Sequence, residues 1–154
     1  MVPASHVEFL KQPLSFWLAT TGLNNISEPI KCTGIVFDPA TEIFTCFVPE
    51  KFMTIGFEHL RENPVLALVV TELHSFESYQ YKGNYLAWRR CTEDEVEFQR
   101  GYMEAFSDIL GSFGHSKQGL YGAYFHIPVL ALTFQVTHVF DQSPRSGTGE
   151  KVCA

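Results

Sequence analysis

Charge is scarce in this chain. Asp, Glu, Lys and Arg together make up 18% of 154 residues, against a typical share of about 25%. The 11 Lys and Arg are scattered, no basic run exists, and the net charge is −6. Nucleic-acid binding by phosphate neutralisation is therefore not expected, nor is attachment to an anionic membrane surface. No stretch approaches the roughly 20 apolar residues of a membrane span. The first residues, Met1-Val2-Pro3-Ala4-Ser5-His6, have neither the charged region nor the apolar run of a signal peptide, so a cytoplasmic location is expected. The four cysteines (Cys32, Cys46, Cys91, Cys153) form no CxxC pair, which argues against a zinc knuckle or a redox dithiol. The six histidines show no HxH or HExxH spacing; only His115 and His126 are candidates to converge, and no metal is expected. P-loop, GxGxxG and GxSxG patterns are missing too.

Rings are plentiful. Aromatics reach 14%, with 14 Phe. Many rings and few charges imply much hidden apolar surface, or apolar surface that meets a partner or a flat ligand. The length fits one domain, here residues 1–154, able to form a core without disulfides.

Turn and period signals divide the chain. Ser5-His6-Val7-Glu8 fits a capping box and opens a short helix that ends near Pro13. Strands are expected at Ser15–Thr21, Pro29–Phe37 and Glu42–Val48, the last two joined through the type I turn of Asp38-Pro39-Ala40-Thr41. Lys51–Asn63 reads as a helix, with Met53, Phe57 and Leu60 on one stripe. Strands follow at Val65–Thr71 and Ser78–Arg89, the second with a bulge or bend at Gly83. A capping box at Thr92-Glu93-Asp94-Glu95 opens a longer helical insertion, to about residue 114. Leu120–His126 has no clear assignment. Val129–Phe140 alternates as a last strand, and the tail from about residue 143 has loop chemistry. Six antiparallel strands with helices outside predict a small closed barrel.

Few residues speak for chemistry. Cys91, after Arg89-Arg90, is the one candidate for a lowered thiol pKa. Lys51 and Thr54, between a strand and a helix, can meet a phosphate with the first-turn amides. Equally, Lys51 is solvated and Thr54 only caps the helix.

Three segments carry a resemblance. They are Phe16-Trp17-Leu18-Ala19-Thr20-Thr21 with Pro29 and the hairpin after it, Leu60–Val69 around Asn63-Pro64, and Tyr79-Gln80-Tyr81-Lys82-Gly83-Asn84-Tyr85. In their order and spacing the chain resembles the FMN-binding split barrels of the pyridoxamine 5'-phosphate oxidase-like superfamily, from about Val7 to Gly149. Val139–Gly147 resembles the closing strand and Pro/Gly loop of an uncharacterised branch. The resemblance implies a mainly β, six-stranded antiparallel split barrel and a homodimer with FMN at the subunit interface. It places Thr33 and Gly34 at the ring or ribityl region, Thr45 and Cys46 along the site, and Lys51 and Thr54 nearest the phosphate. Ser78, Tyr79 and Gln80 supply polar contacts, and Arg145 reaches in from its loop. For Thr33, Thr45 and Tyr79, plain strand propensity is the other reading. The oxidase's Arg/Lys phosphate cluster and C-terminal Arg/His motif have no counterpart. The expected function is a flavin-dependent oxidoreductase other than that oxidase. The alternative is a non-catalytic module on the same dimer holding FMN, haem or a small apolar ligand.

Overall fold

The structure is a computed structural model that describes residues 2–153. Helix α1 (Ala4–Phe9) leads into β1 (Ser15–Thr21), β2 (Ser27–Lys31), β3 (Gly34–Asp38) and β4 (Ile43–Pro49). A 3-10 turn (Glu50–Phe52) and α2 (Thr54–Glu62) follow, then β5 (Val65–Thr71) and β6 (Ser78–Arg90). Helices α3 (Glu93–Ser112) and α4 (Lys117–Tyr124) precede β7 (Val129–Asp141) and β8 (Lys151–Cys153). Leu120–Tyr124, unassigned from sequence, belongs to α4, whose N-cap Ser116 accepts from the Gly119 amide.

The strands form one antiparallel sheet of eight, in the order β2-β1-β5-β6-β7-β4-β3, with β8 on β7. Two expectations are corrected here. The strand read as Pro29–Phe37 is two strands, because the chain changes partner at Cys32 and Thr33. The Cys32 amide donates to Phe16 O on β1 (3.1 Å), whereas the Thr33 amide donates to Phe47 O on β4 (2.8 Å). The tail read as loop ends in β8, which pairs Phe140 with Lys151. The sheet therefore has eight strands rather than six, and it is not closed: its two edges are joined by this partner switch, not by a ladder.

Side-chain alternation puts Phe16, Leu18, Phe44, Cys46, Val48, Leu68, Tyr81, Leu132 and Phe134 on the inner face, all buried. Gly83 is where the expected irregularity falls, with a register shift between Lys82 and Gly83. A Cβ there would lie 2.1 Å from Gln135 O, so only glycine lets β6 and β7 approach. The turn at Asp38 forms as expected: its carboxylate accepts from the Ala40 amide and the Thr41 hydroxyl. The Thr92 capping box is present with both of its bonds. The one proposed at Ser5 is not, because α1 begins a residue earlier, behind Pro3, and Ser5 sits inside it without a capping role.

Helix α3 covers the split. Gln99, fully buried, accepts from the Thr33 hydroxyl (2.6 Å). Tyr102 stacks on Phe16 (5.0 Å) and donates to Leu14 O. Lys31, just before the partner switch, is buried under Phe106 with its ammonium 4.4 Å from the ring centroid. It donates to Ser15 Oγ and Phe16 O, and burial lowers its pKa to about 8. No described helix is long and apolar enough to cross a membrane.

Candidate functional site

The polar residues singled out in the sequence fall into three places. Thr33, Gly34, Thr45 and Cys46 lie on the β3–β4 hairpin and its entry. Here the chain uses most of them internally. The Thr33 hydroxyl is taken by Gln99 and Phe47 O. A Cβ on Gly34 would stand 3.2 Å from the Phe47 ring and 3.4 Å from Gln99 and Phe98, so α3 lies directly over it. Cys46 is buried against Cys32, and burial, then the neighbouring thiol, pushes its own thiol far up. Thr45 is half-buried, between Val36 and Thr133.

Ser78, Tyr79, Gln80 and Arg145 meet at another place. The Ser78 amide is bound by Ser143 Oγ, and its hydroxyl contacts Thr71 and donates to Val70 O. The Tyr79 hydroxyl donates to Glu77 (2.7 Å), and its ring packs at a tilt against His6 (centroids 4.0 Å apart). Burial, then the Glu77 contact, pushes the Tyr79 phenol up to about 12. Arg145 is exposed and donates to Asp141 (2.5 Å). Gln80 is half-buried, opposite Phe140.

Lys51 and Thr54 form the third place. Pro49 pairs with Val129 at one end of β7, whereas Tyr79 pairs with Asp141 at the other. The 13-residue strand spans up to roughly 40 Å. One copy of the chain therefore does not bring Lys51 and Thr54 to Ser78, Tyr79 and Arg145.

Around Lys51 and Thr54 the structure adds residues that sequence reading did not single out. Helix α2 has Met53 at its N-cap and no side-chain cap bond, so its first-turn amides are open to an anion. Lys51 stands in the turn just before, its ammonium over the Phe52 ring (4.7 Å). The end of β6 runs alongside: Arg90 reaches Glu50 at 3.3 Å, and Trp88 lies 5.3 Å from Phe57. Phe57, Leu60, Arg61, Tyr85 and Trp88 line an open groove of about 250 Å³. Thr54, Phe57 and Arg61 follow one stripe of α2, about 10 Å from first to last. Arg90 and Trp88 were invisible as site residues because β6 reaches α2 only through long-range pairing. Arg61 was legible, at i+4 from Phe57, but only to a reader who knew which face of α2 stays open.

Other candidates lose their chemistry. Cys91, expected to have a lowered pKa, is pushed up to about 11 by burial and by Glu95. Its neighbour Arg89 is held by Glu95 through both guanidinium nitrogens (2.7 and 2.6 Å) and gives the thiol little help. His126 packs on Phe52 (5.5 Å), while His115 has no part in that contact. Among the described residues, no group of three or more His, Cys, Asp or Glu could hold a metal ion.

Comparison of the whole structure with solved structures decides the fold. HupZ of Group A Streptococcus superposes with a TM-score of 0.57 at 11% identity, covering 96% of this chain and 98% of that one. An F420 reductase gives 0.54 at 15% identity, covering 90% and 98%. A pyridoxamine 5'-phosphate oxidase-related, FMN-binding protein from Nostoc punctiforme PCC 73102 gives 0.53 at 10% identity, covering 92% and 84%. The chain shares the fold of these three proteins, in line with the split barrel that the resemblance implied. No family model matches the sequence, and no curated protein matches it. At 10–15% identity the likeness is one of backbone path.

Proposed function

We propose that this split barrel binds a flavin-type cofactor at the groove beside α2, in a site completed by a second copy of the chain. One observation carries the reading. The uncapped start of α2, with Lys51 before it and Arg90 beside it, stands next to a groove walled by Phe57, Tyr85 and Trp88. Amides and cations suit a phosphate, and rings suit a flat heterocycle. Arg61, at the far end of the groove, offers a planar donor fork. Two proteins of the same fold support it: one is an FMN-binding protein and the other an F420 reductase.

The groove's 250 Å³ is smaller than the usual 300–1,000 Å³ of a ligand pocket, and it is open. Val65, Leu86 and Trp88, all about half exposed, form an apolar rim on β5 and β6. Burying that rim in a homodimer would close the groove. It would also let the Ser78, Tyr79, Gln80 and Arg145 group of one copy approach the site of the other.

A bound flavin supplies the electron chemistry, and the protein supplies orientation and a dry face. No described side chain is placed as a catalytic acid or base, so electron transfer between the flavin and a diffusible partner is the activity this site supports. The test is direct. The purified protein is examined for flavin absorbance, and the apoprotein is titrated with FMN and with F420. Micromolar binding, weakened at least tenfold by Trp88→Ala and by Lys51→Ala, supports the reading. A colourless protein that binds neither cofactor overturns it. If a cofactor binds, its reduction by a nicotinamide donor separates an oxidoreductase from a carrier. Sedimentation as a monomer at micromolar concentration removes the shared site.

A further inference from the structure

A second cavity, larger than the groove beside α2, lies apart from it: a cleft of about 680 Å³ between α1 and α3, with β3 at its floor. Phe16 and Ile35 form its buried base, and Leu10, Phe98 and Tyr102 its sides. The Tyr102 hydroxyl donates its proton to Leu14 O, so it has none to offer inward. Polar side chains come only from Lys11, Gln12 and Glu97. Glu97 leans on Arg100 (3.6 Å), while the exposed Lys11 ammonium has only Glu8 as its partner (2.6 Å) and keeps donors to spare.

Gly101 sharpens this. It sits in the middle of a 20-residue helix, where glycine costs about 0.5–1 kcal/mol relative to alanine. Packing does not demand it: a Cβ at Gly101 would meet nothing within 4 Å. Gly101 and Ala105 lie one turn apart on the face of α3 that looks into the cleft. Their small size leaves the wall open. The lining runs along α3 from Glu97 to Ala105, about 12 Å at the helical rise. A long, mostly apolar cleft of about 680 Å³ with polar groups at its edge falls within the roughly 300–1,000 Å³ of ligand pockets.

We propose that this cleft binds a monocarboxylic acid with an unbranched acyl chain of medium length. The chain lies along α3 over Gly101 and Ala105. The carboxylate stays at the rim and takes a hydrogen bond from Lys11. A compact polar ligand does not fit, because the interior offers no hydrogen bond to replace those lost from water. A dianionic phosphate does not fit either, with one exposed cation at the edge and Glu97 on the facing wall. This site is separate from the flavin groove and shares no lining residue with it.

The experiment is calorimetric titration of the full chain with decanoate, decanol and hexanoate. Decanoate is expected to bind, hexanoate at least tenfold more weakly, and decanol about fivefold more weakly, the scale of one exposed charge contact. Lys11→Ala should remove the preference for decanoate over decanol. Gly101→Leu fills the cleft and should abolish binding of all three while the protein melts at or above the wild-type temperature. Ala105→Phe serves as a second occlusion if Gly101→Leu does not fold. FMN titration of the same variants should be unchanged, which separates this site from the flavin groove. Decanoate binding that survives both occluding variants overturns the proposal, as does wild-type protein that binds no decanoate. Conversion of a dimer to a monomer by Gly101→Leu also overturns it, since the cleft would then be an interface between copies.

Discussion

The Thr33 hydroxyl donates to Gln99 Oε1 at 2.6 Å, joining the point where the sheet changes partner to the helix that covers it. Thr33 belongs to the two-residue link between β2 and β3, and Gln99 to the second turn of α3. Both are fully buried. The Gln99 amide also donates to Glu95 O (2.9 Å), so its orientation is held from both ends. Gln99→Leu removes the acceptor but leaves Thr33 a second one at Phe47 O. The expected loss is about 1 kcal/mol, the low end for a buried hydrogen bond. Thr33→Val leaves the Gln99 oxygen unpaired and should cost more, about 2 kcal/mol. Urea melts of the two variants check the order; equal losses would mean that α3 does not depend on this contact.

Lys31 makes stability depend on pH in an unusual direction. Its folded pKa, lowered by burial to about 8, lies below the unfolded value of 10.5. Between these values the unfolded chain binds more protons than the folded one, so this group's contribution rises with pH from about 8 to 10.5. Below pH 8 the buried ammonium carries its full penalty. Lys31→Met keeps the apolar stem under Phe106 and deletes the charge. It should raise stability at pH 7, and the gain should shrink by pH 10. Chemical melts of both proteins at pH 7, 8.5 and 10 measure this. A constant difference across that range would place the ammonium in water.

Glu95 works in the opposite sense. Its hydrogen bonds from Arg89, set against partial burial and joined by the Thr92 amide, hold its carboxyl down at about 2. The stabilisation is complete above the unfolded value of 4.5 and is lost as pH falls towards 2. Glu95→Gln should lower stability at pH 7 by about 1 kcal/mol, the scale of an exposed pair with one helix cap. At pH 2.5 most of that difference should be gone, because the folded carboxyl is then close to its own pKa. Thermal melts at both pH values decide it.

Gly83→Ala tests the approach of β6 to β7. The added Cβ would lie 2.1 Å from Gln135 O and 2.6 Å from the Phe134 ring. The backbone atom cannot step aside without opening the pairing, so a loss of about 3 kcal/mol or an insoluble protein is expected. Gly111→Ala is the control, since nothing lies within 4 Å of its Cβ position. It should be neutral or slightly stabilising, as helix propensity predicts. Expression level and melting temperature read both.

Residue order alone located most elements, because local chemistry marks them. Asp38 with Pro39 set a turn, Thr92 with Glu95 set a helix start, Asn63-Pro64 stopped α2, and alternation from Leu130 to Phe134 marked β7. It also carried the likeness to the split barrels, which the backbone comparison then bore out at the level of fold. Partner choice is what local chemistry does not encode. Pro29–Phe37 reads as one strand from its residues, and only the competing edges of β1 and β4 break it at Cys32 and Thr33. The same limit hid the groove. Lys51 and Thr54 were legible as neighbours in sequence, but Trp88 and Arg90, 34 and 36 residues beyond the start of α2, reach them through pairing between strands. Three of the residues that the resemblance placed at the site, Thr33, Gly34 and Cys46, turn inward, where α3 covers the gap that the partner switch leaves. A polar or small residue on a strand can serve a ligand or a packed neighbour equally well, and tertiary packing alone assigns it.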